Sequence, residues 1–141
     1  MKCNSQLYRQ NTVFITARGT VGKIVMAGCD MAMNQTNYAL IGKDRCGQLL
    51  TYHITKDVVE RLKKKANGAV FDAITTRDFE AEEIIIPSSE QMCDFENMVS
   101  PIYDNILNSC VQNRRLANLR DTLLPKLMSG ELSVEEAEQR L

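Results

Sequence analysis

The run Arg18-Gly19-Thr20-Val21-Gly22-Lys23 places two cations and two glycines within six residues. Glycines let a backbone approach another surface closely, and flanking cations suit a phosphate. A nucleotide phosphate loop is excluded by spacing. The glycine required five residues before Gly22 is Ala17, and Ile24 follows the lysine where a Ser or Thr is needed. Two readings of the run stand, a turn held against a polyanion and a purely structural hairpin. Asn34-Gln35-Thr36-Asn37 carries amides able to meet an adenine edge through paired donor and acceptor groups. The same amides could satisfy their own loop backbone. Lys63, Lys64 and Lys65 are consecutive, so 100° steps splay them around a helix. They read either as phosphate contacts or as a solvated helix end opposite the negative dipole pole.

Other reactive residues assemble nothing comparable. His53 is the single histidine, which removes a His-based metal cluster and most nucleophile–His pairs, and it reads as an ordinary strand-end or surface residue. Cysteines 3, 29, 46, 93 and 110 form no C-x-x-C pair, so they read as free thiols with no metal site. The carboxylates show no set with supporting basic or metal-ligand neighbours, and no active site emerges.

The elements positioning these residues follow from local pattern. Residues 12–16, 23–27 and 38–41 read as short β-branched or aromatic strands separated by glycine turns, which predicts antiparallel pairing. A helix fits residues 48–66, at least from Lys56, with Thr55 as its cap and Asn67-Gly68 as its stop. Val58, Val59, Leu62 and Ala66 give it one apolar face. Residues 79–87 predict a last strand built on Ile84, Ile85 and Ile86 and halted by Pro87.

At Ser88 the chain changes character. Ser88 and Gln91 form a capping box, and no glycine follows before Met128, which predicts a helix of up to about 40 residues. Phe95, Val99, Ile102, Ile106 and Cys110 recur at helical spacing, and Leu116, Leu119, Leu123 and Leu127 resume the stripe. The distal leucines require a partner helix, as in a coiled coil. Pro101 is expected to kink or break the rod, Pro125 lies one turn from its end, and Ser129-Gly130 stops it. Ser133 and Glu136 open a short terminal helix reaching about Arg140.

Charge divides along the same line. Residues 1–78 hold 12 Lys and Arg against 6 Asp and Glu, whereas residues 79–141 hold 5 against 12. A basic first part suits a polyanionic partner. No apolar run approaches the roughly 18 residues that span a bilayer, and the N-terminus lacks the order of a secretory signal. A soluble, cytoplasmic protein is expected.

Three segments together resemble the specificity subunit of type I restriction–modification systems. The first runs from Phe14 through Arg18-Gly19-Thr20-Val21-Gly22-Lys23-Ile24 to Asn34-Gln35. The second runs from Ala66-Asn67-Gly68-Ala69-Val70-Phe71-Asp72 to Thr76, through Phe79, and into Ile84-Ile85-Ile86-Pro87 and Gln91. The third and most specific is Leu116-Ala117-Asn118-Leu119-Arg120-Asp121-Thr122-Leu123-Leu124-Pro125-Lys126-Leu127-Met128-Ser129-Gly130-Glu131-Leu132. Order and spacing match the family from about residue 12 onward.

The resemblance implies an α+β chain: a small twisted, mainly antiparallel sheet with a helix, then a long C-terminal coiled-coil helix. Residues 1–87 would be a shortened target recognition domain whose strands before Val13 are missing or nearly so, leaving a sheet edge exposed. Residues 88–130 would be the spacer and dimerisation helix, and 131–141 a short terminal helix. Such a chain reads one half-site of double-stranded DNA and docks modification and restriction subunits. It forms a homodimer through antiparallel long helices. It is not itself an enzyme, and S-adenosylmethionine and ATP belong to the partner subunits. Arg18, Thr20, Lys23, Asn34, Gln35, Asn37 and Lys63 are the expected DNA contacts. Ile102, Ile106, Leu116, Leu119, Leu123 and Leu127 are the expected partner contacts. The rival from another class is an interaction module that pairs through its helix and reads no DNA.

Overall fold

A computed structural model describes residues 6–65 and 73–138 of the chain. Cys3, Ala66 of the predicted apolar face, the helix stop at Asn67-Gly68, the motif residues through Asp72 and the end of the terminal helix at Arg140 lie outside the described residues. Among the described residues nine elements follow in order: β1 (Leu7–Tyr8), β2 (Val13–Thr16), β3 (Ile24–Met26), β4 (Met31–Ala32), β5 (Asn37–Leu40), α1 (Gln48–Lys65), α2 (Thr76–Glu80), α3 (Ser89–Met128) and α4 (Val134–Glu138). This is an α+β fold with antiparallel pairing throughout. The chain divides into two compact units, residues 1–100 and 101–141.

In the first unit β2 is the central strand, flanked by β3 and β5 in the order β3-β2-β5. Its alternation decides the packing. Val13 and Ile15 are fully buried, and Ile15 joins Val59 of α1 and Ile74 in the innermost cluster, around which Val21, Ile24, Tyr38, Leu40 and Phe79 pack. Phe14 points to the opposite face, where its ring meets Tyr8 edge-on at 5.5 Å. One two-residue strand lies ahead of Val13: β1 pairs with β4 in a separate two-stranded ladder. Two-residue strands are too short to show a period, which is why neither was predicted.

Helix α1 starts at Gln48, a full two turns ahead of Thr55. Thr55 is not its cap: it is buried inside the helix and donates its hydroxyl to the Thr51 carbonyl at 2.7 Å. The cap comes from 46 residues away, where Glu96 Oε1 of α3 accepts the Leu50 amide at 2.8 Å. Gly47 makes room for it, since a Cβ there would stand 2.0 Å from the same carboxylate oxygen. A carboxylate at a helix N-terminus also complements the dipole. Glu96→Ala is therefore expected to cost about 1 kcal/mol in chemical denaturation, while Asp94→Ala on the exposed side changes stability little. The predicted apolar face holds, with Val58, Val59 and Leu62 all buried.

The predicted strand over 79–87 does not form. Residues 76–80 are helix α2, and residues 82–88 carry no regular structure. Thr75 donates from its backbone at 2.7 Å and its hydroxyl at 2.8 Å to Asp78 Oδ2, which locks the turn as helical. Those two bonds, the backbone one first, hold the Asp78 carboxyl below the ordinary carboxylate range. The stabilisation is present at neutral pH and fades as pH falls through that lowered value. Isoleucines favour strands only where a neighbouring strand offers a ladder. Ile84 to Ile86 find none among the described residues, and Ile85 is 95% exposed.

Helix α3 runs unbroken for 40 residues through both Pro101 and Pro125. The break expected at Pro101 is absent, since a proline removes one hydrogen bond and leaves the remaining ladder to carry the helix. Ser88 and Gln91 close the predicted capping box, Gln91 Oε1 accepting the Ser88 amide at 3.0 Å and Ser88 Oγ the Gln91 amide at 3.3 Å. In the second unit the helix stops at Gly130, whose φ of +74° is accessible without a side-chain clash. Its amide bonds Leu127 and that of buried Leu132 bonds Lys126, both at 3.2 Å. Ser133 and Glu136 form the box that opens α4.

Candidate nucleic-acid interface

Register gathers the predicted contact residues at one end of the three-stranded sheet. Ile15 faces Ile24 and Thr16 faces Asn37, so the last residue of β2 lies between the first residues of β3 and β5. The Ala17–Lys23 connection and the Asn34–Asn37 turn therefore emerge side by side. The Ala17 amide bonds the Thr36 carbonyl at 2.9 Å and ties them together. A third segment joins from the other side, where the Ile74 amide donates to the Ala17 carbonyl at 3.0 Å and Arg18 bridges Ala73.

Thr16 organises the connection from within. Its hydroxyl donates to the Thr20 carbonyl and accepts the Lys23 amide at 3.0 Å, while its carbonyl accepts the Gly22 amide at 2.9 Å. Gly19 and Gly22 both adopt left-handed φ, +78° and +74°, which glycine reaches at little cost. The result presents Arg18, Thr20 and Lys23 as exposed side chains. No carboxylate among the described residues is within ion-pair distance of Arg18, Lys23 or Lys63. By contrast, Arg61 and Lys65 converge on Glu82, whose side chain is only 3% exposed.

The amide turn divides its labour. Asn34 Oδ1 accepts both the Thr36 amide at 3.1 Å and the Thr36 hydroxyl at 2.6 Å, so it serves its own turn. A paired contact to adenine needs oxygen and nitrogen together, which leaves exposed Gln35 better placed than Asn34. Asn37 is half-buried at the start of β5. Lys63, in the last turn of α1, reaches the same region by donating Nζ to the Gly22 carbonyl at 3.2 Å.

Sequence reasoning singled out neither Thr16 nor Arg77. Thr16 reads as an ordinary strand residue until register shows what its hydroxyl brackets. Arg77 is exposed and follows Ile74 by three residues. Its signal was a cation within the second motif segment, between Thr76 and Phe79. His53 sits among rings, edge-on to Tyr52 at 5.4 Å and Phe95 at 5.5 Å. Among the described residues no group of three or more His, Cys, Asp or Glu side chains could hold a metal, and no helix is long and apolar enough to cross a membrane.

The residues predicted as partner contacts lie on α3 in the second unit. Ile102, Ile106 and Leu116 are more than half exposed, and Leu119, Leu123 and Leu127 are partly covered. Leu116, Leu119, Arg120, Leu123, Leu124 and Leu127 line a shallow apolar groove.

A small antiparallel sheet ending in a basic, amide-bearing edge is followed by a 40-residue helix whose apolar stripe is partly to largely exposed. Comparison with known proteins places it: residues 1–107 match the type I restriction modification DNA specificity domain, and the chain belongs to that family. It is 30% identical over 124 residues to the type I restriction enzyme HindI specificity subunit of Haemophilus influenzae, covering 86% of this chain and 27% of that one. It is 33% identical over 85 residues to the type I restriction enzyme MjaIX specificity subunit of Methanocaldococcus jannaschii, covering 60% and 20% respectively. The chain thus spans about a quarter of the length of the curated relatives it matches. No solved structure matches it.

Proposed function

We propose that this chain is a non-catalytic DNA-recognition unit of a type I restriction–modification system. It reads one half-site of double-stranded DNA with the sheet end formed by the Ala17–Lys23 connection and the Asn34–Asn37 turn. Arg18 and Lys23 meet phosphates, while Thr20, Gln35 and Asn37 are the side chains best placed for base edges, and Asn34 shapes its turn. The observation that carries this reading is the convergence of these residues at one edge through strand register, in a chain of this family. The apolar stripe of α3 pairs antiparallel with the same helix of a second copy and docks the modification subunits. Methylation with S-adenosylmethionine and ATP-driven restriction belong to those partner subunits, in the cytoplasm.

Phosphate contacts release counterions, so affinity for duplex should fall steeply with salt. Arg18→Gln and Lys23→Gln should each flatten the slope of log affinity against log salt by about 0.9. An unchanged slope removes those residues from the interface. Co-expression with a modification subunit, followed by selection from randomised duplexes, tests specificity directly. Enrichment of a short half-site supports recognition, and no enrichment favours a module that only pairs through its helix.

A further inference from the structure

We propose that Lys63 is a positioning residue that fixes the Ala17–Lys23 connection from behind, rather than a phosphate contact. The consequence for DNA rests on the proposed recognition reading; the structural role does not. Lys63 donates Nζ to the Gly22 carbonyl at 3.2 Å. Its stem lies against the space that a side chain on Gly22 would need, since a Cβ there would stand 2.8 Å from Lys63 Cε. The same Cβ would be 3.0 Å from Val59 Cγ1, and Val59 belongs to the innermost core.

Gly22 is therefore pinned on two sides. Its amide is held by the Thr16 carbonyl of β2 at 2.9 Å, and its carbonyl by the ammonium of α1. Thr16 and Lys63 act as a bracket, one from the sheet and one from the helix, on a residue whose left-handed φ only glycine adopts cheaply. All three lysines are exposed, but they separate by partner: Lys63 turns to Gly22, Lys65 to Glu82, and Lys64 to neither. An ammonium at the last turn of α1 is also held there by the negative end of the helix dipole. Lys63 thus sets where Lys23 and Arg18 stand, and those two meet the polyanion.

Amide hydrogen exchange on the full 141-residue chain decides the structural role without DNA. In Lys63→Met the Gly22 and Lys23 amides are expected to exchange about fivefold or more faster, because local opening sets their protection. Lys63→Arg, which can still donate to the carbonyl, and Lys64→Met should match the wild type. Unchanged protection in Lys63→Met, or an equal effect from Lys64→Met, overturns the proposal. Should Lys63→Met also expose the core amide of Ile15, Lys63→Gln, too short to reach Gly22, takes its place with the same expected rise. On duplex DNA, Lys63→Met should lower affinity about three- to tenfold with the salt slope unchanged. A slope reduced by about one would put Lys63 on a phosphate and overturn the assignment. If the wild type binds no duplex, the recognition reading fails while the exchange measurement still decides the role of Lys63.

Discussion

Replacing Leu116, Leu119 and Leu123 together by alanine is expected to turn a dimer into a monomer across the micromolar range in analytical ultracentrifugation. The three residues stand on one side of α3, and with Leu124 and Leu127 they line its apolar groove. Leu116 is 61% exposed within its own chain, so in a dimer most of its burial would come from the neighbour. Burying a leucine contributes about 1.5–3 kcal/mol, and a two-fold interface counts each residue twice. Even with part of that already realised in the monomer, the triple change should weaken association by more than about a thousandfold. Alanine is the best helix former, so helix content should stay unchanged, which separates lost pairing from lost folding. A wild-type chain that is monomeric at high concentration defeats the prediction and, with it, the pairing assigned to this stripe.

The second large effect concerns the globule. Ile15→Ala should destabilise the first unit by about 2–5 kcal/mol, the range for emptying a fully buried aliphatic site. Ile15 is fully buried between Val59 of α1 and Ile74, so the cavity is bounded by a strand, a helix and a returning segment. These parts cannot close on it without breaking the pairing of β2 with both neighbours. Net stability of a small domain is only about 5–15 kcal/mol, so the denaturation midpoint should move far. Val25→Ala, more than half exposed on β3, serves as control and should cost under about 1 kcal/mol. Because Thr16 follows Ile15 directly, the same change should loosen the bracket around Gly22. A loss below about 1 kcal/mol at Ile15 would mean that the core lies elsewhere.

Much of this architecture was legible residue by residue. The capping boxes at Ser88 and Ser133, the glycine stop at Gly130, the apolar face of Val58, Val59 and Leu62 and the leucine stripe all depend on partners within one or two turns of the same helix. The three longer strands were readable because β-branched runs bounded by glycine leave few alternatives. Errors arose where the deciding partner was remote. Glu96 caps a helix 46 residues upstream and makes a local cap at Thr55 unnecessary. Ile84 to Ile86 look like a strand but meet no neighbouring strand among the described residues, and Phe79 is drawn toward the core from a helix capped at Thr75.

By itself, then, the order of amino acids determined the three longer strands, helix α1, the long helix with its apolar stripe, the basic first part and the family to which the chain belongs. Only the tertiary structure decided that Arg18, Thr20, Lys23, Gln35 and Asn37 share one edge, that Asn34 spends its oxygen on its own turn, and that the Lys63 ammonium lies on Gly22. The reason is range. Caps and stripes are set by neighbours a few residues apart, whereas the edge is set by strand register and by a helix end returning across 41 residues to touch a single carbonyl.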